Sequence, residues 1–454
     1  MQQTSINPHT GQPAGSIALL DGAGLEQRLS AAQAAFAHWS CRGLAQRAEV
    51  LVAIARALRA HAPVLQQAMT AEMGKLAREA LAEIEKSARC CEHFAEHAAR
   101  YLADEVVPTE AADSRVVYQP LGAVLAVMPW NFPVWQVVRC MAPALMAGNV
   151  VLLKHAANVP QCAALLGEVM AAAGLPAGVF SVLHIDNEQA AAVIADARIA
   201  GVALTGSERA GRSVAATAGS HLKPCVMELG GSDAFIVLAD ADLPAAVAAA
   251  TASRFDNAGQ TCIAAKRFIV VDAVADAFVA ALAEAASQRR YGDPRDPATT
   301  LAPMARADLR DGLDAQVQAS IAAGAQVVVG GQPLAGTVAG YPATLLDHVV
   351  PGMPAFDEEL FGPVAAVIRA RDAEHALALA NASDFGLGGS IWTADVAAGR
   401  ALALRMGCGA VFVNAVVRSD VRLPFGGIKR SGYGRELGGL GLREFTNAKT
   451  LWVG

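Results

Sequence analysis

The sequence predicts an α/β protein built from two tandem, doubly wound domains, with a small projecting β element. Three observations predict it. From Gly122 onward, short apolar runs alternate with helical stretches, the pattern of βαβ units. The alternation starts afresh at Lys266 and runs on to Asn414, as a second unit of the same class requires. The chain has 454 residues, more than one ordinary core sustains.

Composition narrows the function classes. With 54% apolar and 17% charged residues, and a mean hydropathy of +0.34, the chain suits a large buried interior. A net charge of −6 argues against nucleic-acid and membrane-surface partners. The uncharged runs near 116–138 and 169–185 are broken by Pro and Gly, so no membrane span is expected. The opening M-Q-Q-T-S-I-N-P lacks the basic and apolar regions of a signal peptide, and none of the eight cysteines has a C-x-x-C partner. A cytoplasmic setting with free thiols is the expectation.

Taken in order, Leu25 to Tyr101 carries apolar residues at helical intervals, punctuated by Pro63 and Gly74. His93 to His97 matches H-x-x-E-H, with Cys90 on roughly the same face. Polar residues one turn apart on an amphipathic helix are usually its solvated side, and no metal is expected there. Residues 102–119 read as two short extended runs around a polar turn, either a surface hairpin or strands that pair with another subunit. G-A-V-L-A-V-M-P-W, N-V-V-L-L-K-H-A, V-F-S-V-L-H-I and I-A-G-V-A-L-T follow as buried parallel strands. No G-x-G-x-x-G occurs. Instead T-G-S-E-R-A-G at 205–211 ends a strand and opens a helix, where exposed N–H groups suit a dinucleotide pyrophosphate and Ser207 also suits a plain N-cap. D-A-F-I-V-L-A, K-R-F-I-V-V, V-V-V-G-G, V-A-A-V-I-R, G-S-I-W-T-A and G-A-V-F-V-N supply the second unit, and T-L-W-V closes the chain as a strand.

The chemistry centres on N-A-G-Q-T-C-I-A at 257–264. A thiolate is the reactive form of cysteine, so a catalytic Cys262 needs a partner. Glu228 in E-L-G-G is the candidate, because two glycines let a second backbone pass close by. Asn131 in P-W-N-F-P supplies an amide of the kind that holds an oxyanion.

P-W-N-F-P, K-H-A, L-T-G-S, E-L-G-G, G-Q-T-C, E-E-L-F-G-P-V and P-F-G-G-x-K-x-S-G-x-G-R-E follow one another between 129 and 436. Together they resemble the NAD(P)-dependent aldehyde dehydrogenase superfamily across essentially the whole chain. The resemblance implies a dinucleotide-binding domain from 1–101 and 120–229, a catalytic domain from 230–445, and oligomerisation strands at 102–119 and 446–454, in a homodimer or homotetramer. It implies that Cys262 attacks the aldehyde, that Asn131 and the Cys262 N–H hold the oxygen, and that Glu228 activates water against the thioester. It assigns Trp130, Lys154, Ala157, Thr205, Gly206, Ser207, Leu229, Glu359 and Phe361 to the cofactor. Ala157 departs from the family: many NAD-preferring members carry Glu there, and its loss removes repulsion against a 2′-phosphate. NADP acceptance is therefore expected, with NAD usable.

Arg139, Trp135, Phe132, Ser419 and Phe425 are the expected substrate residues. A guanidinium in an apolar funnel calls for an anion, and the set resembles succinate-semialdehyde dehydrogenases. A short carboxylated aldehyde is the expected substrate, succinate semialdehyde above glutarate semialdehyde. The alternative for Arg139 is an internal pair with an Asp or Glu. Two rival classes remain: a cysteine hydrolase, for which none of the ten histidines lies in a suggestive motif, and a non-catalytic scaffold, which would not need Asn131, Glu228, Cys262 and Glu359 together.

Overall fold

The computed structural model describes residues 2–454. It opens on an antiparallel pair, Gln2–Ile6 with Pro13–Ala18, which periodicity did not reveal because few of its residues are apolar or buried. Four helices follow, Gly22–Trp39, Leu44–Ala60, Ala62–Met73 and Ala77–Tyr101. Gly74 ends the third in the left-handed region at φ 75°, which a side chain disfavours. The fourth turns Ala80, Ile84, Ala88, Cys91, Phe94 and Ala98 inward. Its His93 and His97 rings stack with centroids 4.4 Å apart, and among the described residues no cluster of His, Cys, Asp and Glu has metal-ligand geometry.

Two open sheets carry the rest. The first has six strands in the order Gly432–Tyr433, Cys225–Glu228, Ile199–Thr205, Ala123–Met128, Val150–His155, Phe180–Val182, parallel except for the first. The second has seven: Gln326–Val329, Thr344–Asp347, Val364–Ala370, Ala265–Val271, Asp233–Val237, Gly388–Trp392, Ala410–Val413, again parallel except for the first. Their central strands are buried on both faces, which is why they read as continuous apolar runs. A third sheet pairs Thr446–Val453 with Asp113–Pro120 along its whole length, and Glu105–Val106 adds to the far side.

The expected catalytic segment 230–445 needs one correction. Its end returns to the first unit: Gly432 pairs with Glu228, and Phe425, Leu437, Leu442 and Phe445 belong to the core beneath the first sheet. The reason is chemical economy of packing, since these apolar side chains fill the groove beside the helix Ala77–Tyr101 and cover no face of the second sheet.

The strand Cys225–Glu228 leads through Leu229–Ser232 directly into Asp233–Val237. The carboxyl edge of the first sheet therefore meets the amino edge of the second. Ligands of open α/β sheets bind outside the carboxyl ends of strands, and this edge carries Lys154, Thr205 and Glu228 at the ends of their strands and Asn131 in the loop after Ala123–Met128.

Candidate active site

Cys262 lies in the turn between the 3₁₀ segment Asp256–Gly259 and the strand Ala265–Val271. That turn is strained and over-determined. Asn257 and Ala258 both adopt left-handed φ, 54° and 52°, a cost of order 1 kcal/mol or more each. Asn257 Nδ2 donates to the carbonyls of Asn131 at 3.0 Å and Gln260 at 3.2 Å. The Ala305 amide donates to Gln260 Oε1 at 2.8 Å. Buried Lys266 donates to the carbonyls of Thr261 at 3.0 Å and Cys262 at 2.7 Å. Strain held by this many partners is characteristic of functional sites.

The E-L-G-G segment threads past this turn. A Cβ on Gly231 would stand 2.9 Å from the Cys262 carbonyl oxygen, so only glycine permits the approach. Gly426 gives Glu228 its room in the same way: a Cβ there would lie 2.7 Å from Glu228 Oε1. Asn131 Nδ2 donates to the Gln260 carbonyl at 2.9 Å, which fixes the amide beside Cys262 and leaves its second N–H free to donate.

Electrostatics single out the same residues. Glu228 is buried and neither carboxyl oxygen has a hydrogen-bond partner within the protein. Burial raises its pKa well above the usual range, Glu436 adds to the rise, and Arg139 opposes it. Burial pushes the Cys262 thiol up to about 11, against the pull of Arg139 and Lys266. The charges of Cys262, Glu228 and Arg139 all influence one another, as groups held near each other do.

A sequence profile described as the aldehyde dehydrogenase family matches residues 1–451. The chain belongs to that family. It is 49% identical over 99% of its length to the succinate semialdehyde dehydrogenase [NAD(P)+] Sad of Escherichia coli K12, covering 97% of that protein. Full-length identity to a probable succinate-semialdehyde dehydrogenase [NADP(+)] of Synechocystis is 48%, covering 100% of both chains. The crystal structure of succinic semialdehyde dehydrogenase from Streptococcus pyogenes in complex with NADP+ superposes with a TM-score of 0.97 at 36% identity, covering 99% of each chain.

In this aldehyde dehydrogenase the residues expected at the cofactor lie along the shared edge. Ser207 accepts from the Ala210 amide at 3.3 Å, capping the helix Glu208–Ser220. Gly206 has open space where a side chain would stand, its nearest neighbour being Leu204 Cδ2 at 3.7 Å. Lys154 donates to Asn187 at 3.2 Å, and Ala157 is exposed in the turn that follows its strand. Leu229 packs beneath Gly211 of the capped helix. Glu359 Oε1 accepts from the Gly231 amide at 3.0 Å and faces Lys266 at 3.4 Å, leaving Oε2 without a donor among the described residues. A Cβ on Gly230 would fall on that carboxylate. Trp130 and Phe361 meet edge to face at 5.8 Å. An open helix start, a glycine cradle and a free carboxylate oxygen fit a dinucleotide.

Two expectations are corrected. Arg139 does not face a funnel: it is 1% exposed and ion-paired with Glu436, its Nη2 donates to Thr205 at 3.1 Å, and its guanidinium lies 4.7 Å over the Phe425 ring. That charge is met inside the protein by the buried carboxylate of Glu436. Phe425 sits beneath it, 4% exposed, its backbone exchanging two 2.7 Å bonds with Glu436, and lines no entrance. Thr205 Oγ1 accepts that bond from Arg139, which leaves its own O–H to donate. Phe132, by contrast, lines a cleft of about 280 Å³ with Thr261, Ile263, Val416 and Val417 that opens onto the Cys262 turn.

Sequence reasoning missed Lys75, Glu83 and Lys86. Lys75 and Glu83 form a fully buried ion pair. Lys75 also donates to the Asn131 carbonyl at 2.8 Å, while Glu83 accepts from the amides of Val134 and Trp135, each at 2.9 Å, at the start of the helix Trp135–Ala147. The signal was a glutamate within the inward stripe of an otherwise apolar helix face. Glu83→Ala strands Lys75 as a lone buried cation and should cost about 3–5 kcal/mol, read as a lowered midpoint of urea unfolding.

Proposed function

We propose that this chain oxidises succinate semialdehyde to succinate, with NADP accepted and NAD also usable. The observation that supports the reading is the passage of Gly230–Gly231 against the Cys262 turn, to which the Asn131 amide is also tied through the Gln260 carbonyl. Full-length identity to proteins named as succinate-semialdehyde dehydrogenases supports the substrate.

In the proposed course Glu228 in its ionised form draws the thiol proton, and Cys262 Sγ bonds to the aldehyde carbon. Asn131 Nδ2 and the Cys262 N–H donate to the resulting oxyanion; losing one such donor typically costs about 10²–10³ in rate. Lys154, the turn Gly206–Ser207, Glu359 and the Trp130–Phe361 pair would hold the dinucleotide, whose nicotinamide supplies the hydride acceptor. Once Glu228 has passed the thiol proton to solvent, it takes a proton from water as that water's oxygen adds to the thioester, and Cys262 leaves as a thiolate as the acid forms. Exposed Val106, Leu451, Trp452 and Val453 on the third sheet support assembly with further copies of the chain.

Formation of reduced cofactor at 340 nm, across a panel of semialdehydes and both dinucleotides, tests the reading. Succinate semialdehyde should rank first. Glutarate semialdehyde should follow closely, because one methylene is worth only about 1–3 kcal/mol. No reduced cofactor with any semialdehyde would exclude the function, and kcat/KM for NAD a hundredfold above NADP would exclude the reading of Ala157.

A further inference from the structure

We propose that Lys266 is a positioning residue shared by the two halves of the reaction centre: its one ammonium holds the Cys262 turn and the Glu359 carboxylate together, so the nucleophile and the dinucleotide are set by the same charge. This rests on the cofactor role proposed above for Glu359.

Lys266 is the second residue of the strand Ala265–Val271, every residue of which is buried, and is itself 0% exposed. An ammonium so placed is costly unless acceptors meet it. Three do, one for each N–H. Nζ donates to the Cys262 carbonyl at 2.7 Å and to the Thr261 carbonyl at 3.0 Å, and Glu359 Oε1 lies 3.4 Å away. Two of these acceptors belong to the catalytic turn and the third to the carboxylate that would meet the cofactor. Asn257, Gln260 and Arg254 also brace the turn, so it should stay folded without the ammonium.

Glu359 Oε1 is engaged twice, by the Gly231 amide at 3.0 Å and by Lys266, while Oε2 has no donor among the described residues. A carboxylate pinned at one oxygen presents the other in a fixed direction, ready for a hydroxyl of the dinucleotide. At the turn the same ammonium favours the thiolate. Arg139 and Lys266 draw the Cys262 proton away, and Glu359 and Glu228 oppose them. The charged groups that face Lys266 are Glu359 and Arg254, then Asp233 and Cys262. Lys266 and Glu359 therefore act in opposite senses on the thiol and in the same sense on the cofactor.

That opposition separates positioning from plain support, and two measurements that need no turnover read it. One is alkylation of Cys262 by iodoacetamide in the cofactor-free enzyme, followed by mass spectrometry apart from the exposed Cys41. The other is NADP binding by calorimetry. Lys266→Met should slow the alkylation at fixed pH about three- to tenfold and weaken NADP binding about tenfold. Lys266→Gln, which keeps N–H donors for the carbonyls, should move both readouts the same way with less loss of stability. Glu359→Gln should also weaken NADP binding, yet speed the alkylation about threefold. In Lys266→Met/Glu359→Gln, which leaves neither charge alone in the interior, NADP should bind as in Glu359→Gln and the alkylation should return near the wild-type rate. Unchanged alkylation in a folded Lys266 variant, a shift in the same direction in the Lys266 and Glu359 variants, or NADP losses that add in the double variant defeats the role of Lys266 alone. A wild type that binds neither NADP nor NAD defeats the cofactor reading instead.

Discussion

Cys262→Ala is expected to abolish aldehyde oxidation, lowering kcat by about 10⁴-fold or more, while the melting temperature stays within about 1 °C. The two halves of this expectation have separate causes. In the proposed course the side chain forms the only covalent bond between enzyme and substrate, and no other nucleophile is proposed to replace it. The fold around it is held by backbone groups: Lys266 grips the carbonyls of Thr261 and Cys262, and Asn257 and Gln260 lock the preceding turn. Removing one sulfur from a half-exposed position leaves those bonds in place. A scaffold protein would show neither activity to lose nor a reason for the strained approach to residue 262. Alkylation by iodoacetamide gives a second reading, since a thiol pushed up to about 11 should react faster as pH rises, with modification of Cys262 followed by mass spectrometry apart from that of the exposed Cys41. Substantial activity in the alanine variant would remove the nucleophile from the proposal.

The strand runs and the restart at Lys266 were legible because each is encoded locally. A buried parallel strand is a continuous apolar word, and a backbone crossing needs glycine, as Gly230 and Gly231 show. What was not legible depends on partners distant in sequence. Arg139 looks the same in sequence whether it meets a substrate or Glu436, and only the return of residues 423–445 to the first sheet decides between them. Lys86 and Ser419 likewise stand far apart along the chain and meet only because the helix Ala77–Tyr101 and the loop before Phe425 flank the same enclosure. The opening hairpin was invisible for a different reason: it buries too little to leave a pattern.

The same return gives Glu228 its character. Gly426 opens room for its side chain, and Glu436, brought in beside Arg139, adds a second buried carboxyl to the enclosure. A carboxyl without a hydrogen-bond donor keeps its proton until well above the ordinary range, and once ionised it is a stronger base than an exposed glutamate. Two results follow. Wild-type kcat should rise with pH through that raised range, because the base form appears only as the proton is lost; an ordinary glutamate would already be ionised and give a flat profile there. Glu228→Gln should remove the rise and lower steady-state kcat by about 10²–10⁴-fold. Because the amide blocks hydrolysis more severely than the first turnover, mixing the variant with cofactor and succinate semialdehyde should give reduced cofactor in an amount not exceeding the enzyme, followed by near arrest. The arrested enzyme should carry a hydroxylamine-sensitive acyl group on Cys262, seen by mass. Equal loss in the first and later turnovers would place Glu228 before the thioester, as the acceptor of the thiol proton alone; an unchanged kcat and pH profile would leave the buried carboxyl with no part in the reaction.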